Sequence, residues 1–169
     1  MTQLHWTLPQ GLLETSIEVM RPHGARGNEG LALWFGSGDE RHVQFTHVVE
    51  VLGPGFTTMP LYMSLSLRAM AALTDLAEKH GMFLAGQIHA HPATFIDLSE
   101  LDEAQGIRTP DYLSVVCPHY AQRRIAGLEA CGVHVFERDR YRRMSIQEIA
   151  RRIVVRDAPL TVLRLEVPL

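Results

Sequence analysis

The sequence predicts a mixed α/β fold, a partly antiparallel sheet sandwiched by helices. Three observations lead there. Short apolar runs of strand length lie between turn residues, and three longer stretches carry apolar residues at helical spacing. Strands and helices also alternate along the chain, with hairpin-like strand pairs among them. The 169 residues suit one domain, 1–169, long enough to bury a core and too short for two ordinary domains.

In chain order, LPQGLLETSIEVMRPHG sets Leu12, Leu13, Ile17 and Met20 at helical spacing and stops at Pro22 and Gly24, which predicts a helix. GLALWFG, from Gly30 to Gly36, is an apolar run between glycines and reads as a buried strand. HVQFTHVVEVLG reads as a second strand, pairing with the first across SGDER. PGFTTMP is a turn-rich connector. Pro60 to His80 reads as a helix, with proline at its start, Leu65, Ala69, Leu73 and Leu76 on one face, and Gly81 beyond its end. MFLAGQIHAH, LSVVCP, GVHVFE and TVLRLEV each read as strands. In SIQEIARRIV, Ser145 and Glu148 predict a capping box for a helix with Ile146, Ile149 and Ile153 facing inward.

A hydrophobic share of 46% and a charged share of 21% are those of a globular protein. The formal charge of −3 argues against a strongly basic nucleic-acid binder, so no nucleic acid is expected as a partner. The segment MTQLHWTLPQ has neither the basic nor the apolar region of a signal peptide. The apolar stretch Pro60 to Leu76 is interrupted by Arg68 and Asp75, so no membrane span and a cytoplasmic location are expected. Cys117 and Cys131 form no CxxC pair and read as reduced core thiols.

The chemistry concentrates in HAHPATFIDLSELD. Residues i and i+2 of a strand share a face, so His89 and His91 present two imidazoles to one place. Alone, such a pair is as readily two surface or core histidines. Asp102 supplies a third ligand of the type that zinc accepts, and a catalytic zinc site uses three protein ligands with a further position left for water. Ser99, three residues before Asp102, reads as the N-cap of a short helix that would fix the aspartate. A hydrolytic site also needs a proton acceptor, and Glu29, at the head of the GLALWFG strand, is the candidate; the same position suits a plain surface carboxylate. Cys117 and His119 offer an alternative structural metal set with His89, His91 or Asp102. His42, His47 and His134 read as structural. RDRYRR, from Arg138 to Arg143, reads as a solvated turn, with docking onto an acidic surface as the sharper alternative.

Taken together, Glu29 and the H-x-H-x7-S-x2-D pattern of His89, His91, Ser99 and Asp102 resemble the JAMM motif of the JAB/MPN zinc metalloproteases. The proline after His91, the helix–strand order before it and the EGLALWFG segment resemble that family too, over roughly Leu12 to Glu137. The resemblance implies an MPN/JAB-like, cytidine-deaminase-like fold. It implies Zn2+ held by His89, His91 and Asp102, Glu29 as general base and acid, and Ser99 as a hydrogen-bond donor to the developing oxyanion. It also implies isopeptide or peptide cleavage after the C-terminal glycine of a ubiquitin-like protein; the alternative is a non-catalytic scaffold that binds a ubiquitin-like or sulfur-carrier partner. Gln87 and Ile88 stand where eukaryotic relatives carry an aromatic pair, and the stretch after Asp102 is short for the insertion of eukaryotic deubiquitinases. Those departures resemble the compact bacterial branch, some members of which accompany E1-like, E2-like and ubiquitin-like proteins in Bil-type antiphage operons.

Overall fold

The computed structural model describes residues 3–168, so the ends of the expected 1–169 domain, residues 1, 2 and 169, lie outside the described residues. Among the described residues, eleven strands and four α-helices follow one another. Strand β1 (His5–Pro9) leads to helix α1 (Leu12–Gly24) and then to β2 (Leu31–Gly38) and β3 (His42–Leu52). A two-stranded hairpin, β4 (Phe56–Met59) and β5 (Tyr62–Leu65), precedes α2 (Leu67–Lys79). Strand β6 (Phe83–Ala90) carries the histidine pair to its end, and α3 (Glu100–Gln105) follows. The chain continues through β7 (Leu113–Cys117), β8 (Gly132–Glu137), β9 (Arg140–Arg143), α4 (Ile146–Arg152), β10 (Ile153–Arg156) and β11 (Thr161–Glu166).

The main sheet is mixed, with strand order β10-β1-β3-β2-β6-β7-β8-β9 and β11 added alongside β3. β2 is antiparallel to both β3 and β6, while β6 and β7 run parallel. The alternation along β2 shows why its run is apolar throughout. Ala32 and Trp34 face one core with Met20, Phe45 and Ile88, beneath α1. Leu31, Leu33 and Phe35 face a second core with Ala69, Leu73 and Ala77 of α2. A strand buried on both faces has no polar side to show.

The helix expected over Pro60–His80 is shorter. Pro60 sits in the β4–β5 turn, and the helix begins after Ser66, whose hydroxyl caps the Ala69 N–H at 3.1 Å. The PGFTTMP connector therefore contains a strand, and residues 62–65 a second one. The Arg138–Arg143 segment is also corrected: Arg138 and Asp139 take left-handed backbone at a tight turn, and Arg140–Arg143 pairs with β8 as a strand. In α4, Ser145 accepts the Glu148 N–H, but the Glu148 carboxylate is drawn off to Arg142 and Arg152 at 2.7 and 2.9 Å, so the capping box is half made. Ile146 is 64% exposed instead of buried, and Ile153 is buried as the first residue of β10. Among the described residues, no helix is long and apolar enough to cross a membrane.

Candidate metal centre

His89 ends the site-bearing face of β6, and His91 lies one residue past the strand, where its N–H donates to Cys117 O at 2.9 Å. Both rings are buried. Their Nε2 atoms are 3.0 Å apart. Asp102 reaches them from the first turn of α3, Oδ1 standing 3.5 Å from His89 Nε2 and Oδ2 3.1 Å from His91 Nε2. One ligand atom from each residue lies within 4.8 Å of the other two.

The donor set fits a small divalent cation. Two imidazole Nε2 atoms 3.0 Å apart are placed to share a proton or a cation between them. Ligands held tetrahedrally at zinc distances are about 3.4 Å apart edge to edge, and the 3.0–3.5 Å separations here are close to that. Neither His89 Nδ1 nor His91 Nδ1 has a protein partner, so Nε2 is the polar anchor of both rings. Burial holds the His89 pKa below its usual value and so favours the neutral imidazole, the form that ligates a metal. For Asp102, burial favours the neutral form, but hydrogen bonds from His89, His91 and Ser99 outweigh it and keep the carboxylate ionised.

Ser99 is the N-cap of α3. Its side chain accepts the Asp102 N–H at 3.1 Å, while its own N–H and hydroxyl both donate to Asp102 Oδ2 at 2.7 Å. This is the predicted cap, and it turns the aspartate toward the histidines.

Glu29 lies just before β2, 4% exposed, with Oε1 3.8 Å from His91 Nε2. The pairing of Leu31 with His89 brings these distant segments together. Its backbone is pinned by the hairpin: the N–H donates to Met59 O, and the Thr58 hydroxyl donates to its carbonyl. Gly30 lets α1 close behind it, because a Cβ there would stand 2.9 Å from Met20 Cα. Burial, opposed by His91 and reinforced by Asp102, raises the Glu29 pKa to about 7. A carboxylate poised there can both take and return a proton near neutral pH.

The structure thus brings Glu29, His89, His91, Ser99 and Asp102 together, and among the described residues neither Cys117 nor His119 belongs to the ligand cluster. Cys117 is a buried free thiol whose pKa burial pushes up to about 12; it packs in the α1-side core. His42 and His47 are bonded to Thr7 and Thr46. Three supporting residues escaped the sequence reading. Phe95, half exposed, stacks on His91 with rings 5.3 Å apart and 5° from parallel. Asp97 ties the loop between His91 and Ser99 to Arg143 at 2.6 Å and lies 3.8 Å from His134. Thr58 holds Glu29. An aromatic and an aspartate in a polar loop carry no periodic signal, so only the fold reveals them.

No family model matches the chain. Over 117 residues, 68% of this chain and 72% of the relative, it is 28% identical to a protein of Sinorhizobium fredii named probable metalloprotease y4jG. Protein DSY2949 from Desulfitobacterium hafniense, known from a solution structure, superposes with a TM-score of 0.67 at 18% identity, covering 91% of this chain and 94% of that one. AF2198, a JAB1/MPN domain protein from Archaeoglobus fulgidus, gives a TM-score of 0.47 at 16% identity, covering 90% and 98%. His89, His91 and Asp102 are a set able to hold a metal ion, on a mixed α/β fold shared with solved proteins, in a chain whose sequence relative is a probable metalloprotease.

Proposed function

We propose that the protein is a JAMM-type zinc metallopeptidase of the JAB/MPN family that cleaves after the C-terminal glycine of a ubiquitin-like protein, from a precursor or from a conjugate. The observation that carries this reading is the placement of a buried glutamate, Glu29, 3.8 Å from one of three converging ligands. The metalloprotease relative supports the same activity class. His89, His91 and Asp102 would hold the zinc.

Bound zinc supplies Lewis acidity, lowering the pKa of a water to about 7 and polarising a carbonyl. The remaining work falls to the chain. Glu29 takes a proton from the attacking water at Oε1 and passes it to the leaving amine; its pKa of about 7 suits both directions. The Ser99 hydroxyl, 2.7 Å from Asp102 Oδ2, turns from that bond to donate to the oxyanion. Phe95 holds the His91 ring plane and covers it from water.

Substrate form follows from the surroundings. β5 pairs only with β4 among the described residues, and its other edge borders a groove of ≈ 460 Å³ that reaches Asp102. An extended tail adds to such an edge as a strand, whereas a folded region cannot enter. A C-terminal ubiquitin-like tail meets that requirement, with E1-like and E2-like proteins of the same operon as further partners and antiphage defence as the setting.

The test uses a ubiquitin-like protein fused through its terminal glycine to a reporter. Intact-mass analysis with zinc-loaded protein is expected to show one cut after that glycine. Tight binding of the fusion with no cleavage would instead assign the chain as a scaffold.

A further inference from the structure

Gln87 sits one strand repeat before His89, so the two side chains share one face of β6, and His91 follows just past the strand's end. In the sheet Gln87 pairs with Ser114 of the parallel strand β7. Both residues line the groove that reaches Asp102, together with apolar side chains that include Leu31, Met63, Leu65 and Met70.

The orientation of the Gln87 amide is fixed from behind. Tyr112, buried beneath it, donates its hydroxyl to Gln87 Oε1 at 3.1 Å. The Nε2 group is therefore turned to the Ser114 side, with Ser114 Oγ 3.4 Å away. That contact uses one of two amide protons, and the Ser114 hydroxyl proton has no protein acceptor in the bonds it makes. A spare amide proton of Gln87 and the hydroxyl proton of Ser114 thus lie on paired positions of neighbouring strands in one groove. An acceptor oxygen there satisfies both, whereas a purely apolar occupant strips them of water and leaves them unpaired. A neutral amide oxygen enters a groove lined largely by apolar residues at a lower desolvation cost than a carboxylate does.

Building on the peptidase reading, we propose that Gln87 and Ser114 are specificity-determining residues that select an uncharged substrate side chain with an apolar stem and a terminal acceptor oxygen, glutamine above all. The selected position lies within about two residues of the bond that is cut, since one strand repeat of about 6.6–6.8 Å separates Gln87 from the first histidine ligand.

The test is a set of end-blocked extended hexapeptides with glutamine moved through successive positions, each paired with a norleucine twin and a glutamate twin. Binding to the zinc-loaded full chain is read by competition fluorescence polarisation, and cleavage in the same samples by mass. At one position glutamine is expected to bind about 10- to 100-fold tighter than norleucine, with glutamate weaker than glutamine. Gln87→Leu, nearly equal in size, is expected to reverse that preference and keep its zinc, with a modest fall in melting temperature because the buried Tyr112 hydroxyl loses its acceptor. Ser114→Ala should reduce the preference without reversing it. Equal affinity for the twins at every position, no binding of any peptide, or an unchanged preference in Gln87→Leu would each overturn the proposal. Selective binding without cleavage keeps this pocket and removes the peptidase reading; cleavage without selectivity does the opposite.

Discussion

Ser99 carries two roles in one side chain, and a single substitution separates them. As a cap it accepts the Asp102 N–H, and as a donor it bonds the Asp102 carboxylate of the ligand set. Ser99→Ala is expected to cost about 1 kcal/mol of stability, measured by urea denaturation. It should also lower kcat by about 10²–10³ with KM little changed. A stability loss with kcat intact would leave Ser99 as a cap alone. At this scale the sequence is informative because the signals are local. His89 and His91 share a strand face by adjacency, and Ser99 with Asp102 forms a three-residue capping pattern. Phe95 and Asp97 lie within the same dozen residues and stay invisible, because stacking on His91 and pairing with Arg143 depend on where the loop folds back.

Among the elements, the β4–β5 hairpin matters most to the site and is the one the sequence reading merged into a helix. Pro60 looks like a helix start, and the apolar spacing of α2 extends back through Leu65, but the Ser66 cap fixes the true beginning. The hairpin in turn holds the Glu29 backbone through Met59 and Thr58. Thr58→Val should loosen Glu29 without touching the ligands. The expected result is a 10- to 100-fold lower kcat, roughly what an ångström of misplacement costs, with zinc content unchanged by metal analysis. A variant with full activity would remove the hairpin from the account.

The α4–β9 junction makes a different kind of prediction. Arg152 is fully buried, stacked 4.5 Å from the Trp6 ring centroid and bonded to Glu137 and Glu148. Hydrogen bonds from Arg142, opposed by burial and aided by Arg152, pull the Glu148 pKa from 4.5 to about 2. A depressed carboxylate pKa stabilises the fold above the ordinary value and loses that contribution as pH falls through the folded one. Glu148→Gln is therefore expected to destabilise by about 2 kcal/mol near pH 6, allowing for partial exposure of Arg142, and by nearly nothing at pH 2. Denaturation curves at the two pH values check the sign; a difference independent of pH would mean that Glu148 acts by packing. The RDRYRR cluster belongs to this junction: Arg142 and Arg143 are spent on Glu137, Glu148 and Asp97.

For the whole molecule, the mixed sheet with α1 and α2 on opposite faces was legible, because runs buried on both sides read as continuous apolar segments. Strands β1 and β10 were not. β1 and β10 pair in parallel across the full length of the chain, Trp6 with Ile153, and no local pattern announces a partner that far away. The site itself depends on that global assembly, since Glu29 meets His91 only through the β2–β6 pairing. Zinc should therefore stabilise the fold that gathers its ligands. At free zinc about 100-fold above Kd the gain is about 2.7 kcal/mol, or roughly 5–10 °C in Tm for a chain of this size. Differential scanning calorimetry before and after chelation is expected to show that shift, and its absence in a His89→Ala, His91→Ala double variant.

The most direct measurement pairs metal content with cleavage in Glu29→Ala. In the proposed reading Glu29 carries the proton and is not a ligand, so the variant should retain about one zinc per chain. Its cleavage of the ubiquitin-like fusion should fall by about 10²–10⁴. Cleavage equal to that of the wild type, or loss of the zinc along with the activity, would contradict that assignment.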